Sequence, residues 1–65
     1  MKAKIIDIIT RDGILHHVEN VIDNYVINGR YVIERVSTFD KIKCMNFYPI
    51  DFIQSVEIYD YTIND

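Results

Sequence analysis

The sequence contains few of the residues that cross-link a chain or interrupt its regular secondary structure. It has one cysteine, one proline, two glycines and no tryptophan among 65 residues. The single cysteine, Cys44, cannot form an internal disulfide, so a disulfide-stapled secreted scaffold is excluded and a reducing compartment is favoured. No apolar run exceeds four residues, whereas roughly 20 are needed to cross a bilayer. We expect no membrane-spanning segment.

The first residues lack the pattern of a secretory leader. Residues 1–4 supply two lysines, but Asp7 interrupts the apolar stretch that follows. No small-residue cleavage site comes after it, as a signal peptide would require. We therefore expect a cytoplasmic protein.

Leucine and alanine, which favour helices, occur once each. Isoleucine, valine, tyrosine, phenylalanine and threonine instead supply 30 of the 65 residues. Side chains that branch at Cβ and aromatic side chains fit a pleated sheet but lose rotamer freedom on a helix. With 49% hydrophobic and 26% charged residues, the composition predicts one folded all-β domain over residues 1–65.

Asp12-Gly13 predicts the first hairpin turn. It joins a strand at residues 3–10 to a strand at residues 14–18. A two-residue turn would place Ile9 opposite His16.

Asn28-Gly29 predicts the second hairpin turn, between residues 25–27 and 31–36. Asparagine and glycine both tolerate the positive φ that a type I′ turn requires. This turn places Val26 opposite Tyr31.

The last third of the chain predicts two more strands, at residues 41–48 and 55–60. Pro49 ends the first of these because it has no backbone N–H for the ladder. Residues 50–54 are predicted to hold one short turn.

Both faces of each predicted hairpin carry large apolar side chains. Tyr25 and Val32 share one face of the second hairpin, while Tyr31 and Ile33 share the other. Two-sided apolar strands are typical of a small sheet that curls into a barrel and is covered in part by another subunit. We therefore expect a homo-oligomer. The alternative is that some of these side chains are simply exposed, as single apolar residues often are.

Catalytic and metal-binding patterns are missing from the sequence. Adjacent strand residues point to opposite faces, so His16 and His17 cannot bind one metal ion together. Cys44 has no second cysteine and no histidine at ligand spacing, and is expected to be a small buried side chain. Nucleotide-binding, zinc-protease and nucleophile-elbow motifs are absent. We expect no enzyme activity, no cofactor and no metal.

The charge distribution disfavours nucleic acid as a direct partner. The net charge is -3, and residues 50–65 carry four acidic residues and no basic one. Nucleic-acid affinity depends on clustered lysine and arginine.

Two candidate binding surfaces follow from residue types. Tyrosine and arginine often dominate binding energy, and an arginine fork with a stacking tyrosine suits a planar base with phosphates. The candidate ligand-binding residues are Arg11, Tyr25, Arg30, Tyr31 and Arg35. An acidic surface that bears tyrosines suits a basic groove on a partner protein. The candidate protein-binding residues are Asp51, Glu57, Tyr59, Asp60 and Tyr61.

Three segments carry a resemblance: "IITRDGILHHVENV", "YVINGRYVIERV" and "FYPIDFIQSVEIYD". Their order resembles small all-β proteins encoded by phages and mobile elements of low-GC Gram-positive bacteria. The matching positions of the last segment are Pro49, Ile50, Asp51, Ile53, Ser55, Val56, Glu57 and Ile58. This closing pattern also looks like the last strands of SH3-like and Sm-like barrels, although the Sm motifs themselves are missing. The resemblance implies a five- to six-stranded antiparallel SH3-like barrel or curled sheet, with at most one short helical turn.

The resemblance implies a role against the host, in the host bacterial cytoplasm. The first hypothesis is a non-catalytic, anti-CRISPR-like or other anti-defence inhibitor that binds a host defence protein through its acidic and aromatic surface. The second is a homo-oligomeric sponge that sequesters a signalling nucleotide of a host defence system. The third is a structural or regulatory module of a phage complex, without a ligand.

Overall fold

The computed structural model describes the backbone of residues 2–62 and the side chains of residues 4–60. Within this range the chain is antiparallel β structure with one short 3₁₀ turn and no α-helix, as the composition predicts. No helix in the described range is long and apolar enough to span a membrane. The elements are β1 (Lys2–Thr10), β2 (Leu15–Val18), β3 (Val21–Ile27), β4 (Arg30–Val36), β5 (Lys43–Pro49), the 3₁₀ turn (Ile50–Phe52) and β6 (Ile53–Thr62).

The strands form two three-stranded sheets. Sheet A has the order β2-β1-β6, and sheet B has the order β3-β4-β5. All four strand pairs are antiparallel. Over residues 2–62, no ladder of backbone hydrogen bonds joins one sheet to the other.

The chain passes from sheet A to sheet B through a sharp bend between β2 and β3. Asn20 adopts φ 58°, the left-handed conformation that asparagine tolerates better than most residues. Its carbonyl oxygen accepts a hydrogen bond of 3.1 Å from the Val36 backbone N–H. The bend is therefore tied to the end of β4, and both sheets share one bent ribbon.

The hydrophobic core lies between the two sheets, on what we call their inner faces. Ile6 and Ile8 of β1 are fully buried, as is Ile33 of β4. The other members of this cluster are Val18, Val21 and Tyr31, with Tyr48 and Ile53 packed against it. Alternate residues of β1 point the other way, as the period of a strand requires. The core thus joins Ile6 and Ile8 of sheet A to Ile33 of sheet B.

The second hairpin confirms the predicted register. Val26 pairs with Tyr31, and Asn28 and Gly29 adopt φ 52° and 72°. Both values fit a type I′ turn. Tyr31 lies on the inner face and Tyr25 on the outer face.

The first hairpin differs from the predicted register by one residue. Ile9 pairs with Leu15, and Ile8 pairs with His16. The Gly13 N–H donates to the Thr10 carbonyl at 2.8 Å, and the Thr10 N–H donates to the Ile14 carbonyl at 3.0 Å. With Gly13 at φ 83°, this is a three-residue loop that ends in a bulge at glycine. The predicted pairing of Ile9 with His16 is wrong because a two-residue turn was assumed.

The folded chain exposes more surface than its mass requires. A compact monomer of 7.7 kDa would expose about 4,300 Å², and this chain exposes 4790 Å². Its shape is elongated, with extents of 39 × 19 × 18 Å. Among the described side chains, fifteen large hydrophobic ones are exposed.

Candidate protein-binding face

The outer face of sheet A gathers charged side chains in one row across its three strands. His17 of β2 lies opposite Asp7 of β1, and Asp7 lies opposite Glu57 of β6. Tyr59 lies two residues further along β6, and Glu19 follows β2. We call these five residues the acidic–tyrosine face. Three carboxylates, one imidazole and one phenol are thereby brought onto one side of sheet A.

His17 connects two of the carboxylates. Its Nδ1 lies 2.5 Å from Asp7 Oδ1, and its Nε2 lies 3.0 Å from Glu19 Oε1. A neutral imidazole has only one N–H, so both hydrogen bonds are made only when His17 is protonated. These two contacts, with Asp7 the stronger, raise the pKa of His17 above its ordinary value of 6.5. The imidazolium also offsets the repulsion between Asp7 and Glu57, which are like charges on facing positions.

Tyr59 is held by a hydrogen bond to Glu57. The Tyr59 hydroxyl donates to Glu57 Oε2, and this bond raises the pKa of the phenol above its ordinary value of 10.0. The ring remains 45% exposed. A positioned, half-exposed tyrosine beside a carboxylate offers a partner both apolar area and a charge.

The structure brings together only some of the acidic residues predicted for protein binding. Glu57 and Tyr59 share the outer face of β6. Asp60 has the opposite parity on that strand and pairs with Lys4. Asp51 is exposed in the 3₁₀ turn, where its carbonyl oxygen accepts a 2.7 Å hydrogen bond from Arg11 Nε. The Tyr61 backbone belongs to β6, but its side chain lies outside the described residues.

The predicted ligand-binding residues are distributed over three places. Tyr25 and Arg30 lie on the outer face of sheet B, and a hydrogen bond to Glu34 raises the pKa of Tyr25. Tyr31 lies on the inner face. Arg11 is in the turn after β1, so these residues do not converge within one copy of the chain.

Arg35 lies in a polar cavity at the bend between the sheets, beside the acidic–tyrosine face. The cavity has a volume of about 390 Å³, and its polar lining includes His17 and Glu19 of that face as well as Asn20, Ser37 and Thr38. Asn46 accepts a 3.1 Å hydrogen bond from Arg35 Nε. Within residues 4–60, Arg35 has no carboxylate within 4.0 Å. The Nη atoms of the guanidinium are the groups best suited to an anionic ligand there.

His16 and His17 lie on opposite sides of β2, as strand periodicity predicts, whereas Cys44 is less buried than expected. His16 is half-buried on the inner side, where its ring meets the Tyr48 ring edge to face at 5.4 Å between centroids. His17 is exposed on the opposite side. Cys44 is half-buried rather than fully buried, and its thiol donates weakly to the Ile42 carbonyl oxygen.

Sequence reasoning missed Asp7, His17 and Glu19 as members of the acidic–tyrosine face. The one-residue error in the first hairpin placed Asp7 opposite Val18 instead of His17. The position of Gly13 could have indicated the correct register. The third residue of a three-residue hairpin loop adopts a left-handed conformation, which glycine tolerates well.

In comparisons with known proteins, no family model, curated protein or solved structure matches the chain. Among the described side chains, no group of three or more His, Cys, Asp or Glu residues is placed to hold a metal ion.

Proposed function

We propose that this chain is a non-catalytic inhibitor that binds a host defence protein through the acidic–tyrosine face. The observation that supports this proposal is the row of His17, Asp7 and Glu57 across the outer face of sheet A, with Tyr59 next to Glu57 on that face. The row is built on paired strands, so it is rigid before binding. A rigid face loses little entropy on association, which favours affinity.

The partner surface that suits this face is a basic groove of the kind that holds nucleic acid. Glu57, Asp7 and Glu19 offer carboxylates to lysine and arginine, and Tyr59 offers a ring on which an arginine can stack. A CRISPR nuclease is one example of a defence protein with such a groove. The phage or mobile-element origin of the chain is part of the same proposal and stems from the resemblance of its three segments.

We also propose that the two sheets correspond to an SH3-like barrel. The bent β2–β3 ribbon contributes to both sheets, and a 3₁₀ turn precedes the last strand. β6 then pairs with β1, at the other end of the chain. This order of elements supports a small barrel in preference to one curled sheet.

Charge reversal on the face tests the proposed function. Glu57→Lys is compared with Asp23→Lys, which makes the same charge change at an exposed position of sheet B. Binding to a purified, guide-loaded CRISPR nuclease, and inhibition of its cleavage, are measured for both variants. We expect Glu57→Lys to weaken binding by about tenfold or more and Asp23→Lys to change it by less than about twofold. Equal effects of the two variants would contradict a role for this face.

The Arg35 cavity supports a second candidate function, the sequestration of a signalling nucleotide. Its volume of about 390 Å³ falls within the range of small-molecule sites. Native mass spectrometry with cyclic nucleotides would detect a retained ligand mass. Arg35→Ala should abolish that mass, whereas Arg30→Ala on the outer face of sheet B should not. If Glu57→Lys does not change binding to the nuclease and Arg35→Ala does not change nucleotide retention, the result would favour a structural module of a phage complex.

A further inference from the structure

The connection between β4 and β5, which we call the Phe39 loop (residues 37–42), is ordered by its own hydrogen bonds. The Ser37 N–H donates to the Ile42 carbonyl at 2.9 Å, and the Lys41 N–H donates to the Ser37 carbonyl at 3.0 Å. Asp40 Oδ1 accepts the Ile42 N–H at 3.2 Å. Lys41 completes the turn at φ 61°. These hydrogen bonds within the loop define its shape.

Phe39 projects from the tip of this loop with 97% of its surface exposed. Its backbone N–H is bound by Ser37 Oγ at 3.4 Å, which fixes the direction from which the side chain leaves the loop. A phenylalanine buries roughly 150–250 Å² when it enters an apolar site. If this ring enters an apolar site on a partner, that area is removed from water and favours binding.

An apolar groove on the same chain has the chemistry to receive such a ring. It runs between β3, the 3₁₀ turn and β6, and has a volume of about 450 Å³. Its apolar lining consists of Val26, Ile50, Ile53, Val56 and Ile58. Val26 is 62% exposed and Ile58 is 50% exposed. These are inner-face residues, so they would be covered in a fully closed core.

The polar groups of the groove do not need an outside partner. Asn24 and Tyr31 are its two polar lining residues, and the Tyr31 hydroxyl donates to Asn24 Oδ1 at 3.1 Å. No charged side chain lines the groove. A ligand that fills it should be apolar, because a buried polar ligand group would lack a partner.

Charges beside the two features are complementary. Lys41 lies two residues from Phe39 and makes no ion pair within 4.0 Å among the described side chains. Asp51 adjoins Ile50 at the end of the groove, and Arg11 contacts its carbonyl oxygen rather than its carboxylate. Residues 50–62 contain three acidic residues and no basic one. A lysine approaching the groove with the Phe39 loop would therefore be attracted.

We propose that Phe39 of one copy inserts into the apolar groove of a second copy, making this chain a head-to-tail homo-oligomer. The occupant and the site lie on different surfaces, so the contact is heterologous and each bound copy still offers a free groove or a free loop. Rings or short chains result, according to the angle between successive copies. The contact uses the inner side of β6 and leaves Glu57 and Tyr59 on the outer side accessible. It does not depend on the proposed function.

Removal of the aromatic ring is the first test. Phe39→Ala and the matched variant Phe47→Ala, which removes a 55% exposed ring from the outer face of sheet B, are compared with the unmodified protein by sedimentation equilibrium. We expect assemblies larger than a monomer for the unmodified protein and for Phe47→Ala, and loss of assembly for Phe39→Ala. An unmodified protein that stays monomeric at millimolar concentration, or a Phe39→Ala variant that still assembles, would overturn the proposal.

Complementation is the second and sharper test. Val26→Lys places a charge in the groove, and Ile27→Lys places one at a similarly exposed neighbour on the opposite face of β3. Phe39→Ala keeps the groove and Val26→Lys keeps the loop. Each should therefore be monomeric alone, and an equal mixture should give a heterodimer that cannot grow. Ile27→Lys should assemble normally.

The mixing result decides the mode of assembly. A one-to-one heterodimer in native mass spectrometry supports the heterologous contact. A mixture that stays monomeric, with both variants folded by circular dichroism, would overturn it. If Val26→Lys does not fold, Ile58→Lys blocks the same groove from β6 and is tested in the same mixture.

Discussion

Tyr31 and Asn24 lie diagonally across the second hairpin, and the Tyr31 hydroxyl donates a 3.1 Å hydrogen bond to Asn24 Oδ1. Tyr31 is only 8% exposed, and burial raises the pKa of its hydroxyl above the ordinary value of 10.0. The phenol therefore keeps its proton, and remains a donor, throughout the neutral range.

The first prediction concerns this bond. Tyr31→Phe should lower the free energy of unfolding by about 0.5–1.5 kcal/mol, because it removes one hydrogen bond while keeping the ring in the core. Urea denaturation measures the change. In the Asn24→Ala variant the bond is already missing, so adding Tyr31→Phe should lower the free energy of unfolding by less than it does in the unmodified protein. Equal costs in the two backgrounds would mean that the contact contributes nothing.

The second prediction is a pH dependence set by His17. Its pKa is raised in the folded protein above the unfolded value of 6.5, chiefly by Asp7 and then by Glu19. The stabilisation is fully present below pH 6.5 and is lost as the pH rises through the folded pKa. Between pH 5 and 9, the thermal midpoint of His17→Gln should change less than that of the unmodified protein. Parallel curves for the two proteins would contradict this assignment.

The third prediction concerns the turn at Asn28-Gly29. Gly29 adopts φ 72°, and a Cβ built on it would meet no atom within 4 Å. Gly29→Ala should therefore destabilise the protein through backbone strain and not through crowding by neighbouring atoms. We expect the free energy of unfolding to fall by about 1–2 kcal/mol. Chemical denaturation gives the value. A neutral substitution would show that the turn relaxes to another type.

The fourth prediction concerns Ile33, which is fully buried at the centre of sheet B. Ile33→Val should cost about 0.5–1.5 kcal/mol and Ile33→Ala about 2–5 kcal/mol, because the second leaves a larger cavity. Ile27→Ala on the exposed face of β3 is the matched control and should cost much less. Comparable losses at both positions would mean that the two faces of sheet B are packed alike.

The second hairpin could be predicted from the sequence because its turn residues permit few turn types. Asparagine and glycine in succession accept two positive φ values, and this fixes both loop length and register. The short turn before β6 was also predicted, since Pro49 cannot continue the ladder. Local chemistry decided both features.

The first hairpin was not fixed by local chemistry in the same way. Asp12-Gly13 fits a two-residue turn or a three-residue turn, and the choice moves every later residue by one position. A two-residue turn would place Val18 on the same face as Ile5 and Ile9, whereas Val18 packs with Ile6 and Ile8. The acidic–tyrosine face depends on this register. It also depends on the pairing of β1 with β6, which joins distant parts of the sequence and leaves no local signal.

The central position of β1 in sheet A has a consequence for synthesis of the protein. β1 is translated before the other five strands, yet one of its two edges pairs with β6, so Lys2 lies opposite Thr62. Contacts that span most of a chain form slowly. We expect the amides of β3 and β4 to gain protection before those of β1 in pulse-labelled hydrogen exchange. Until β6 has been translated, the nascent chain carries an unpaired edge beside Ile6 and Ile8, which is the kind of surface that chaperones bind and that aggregates extend.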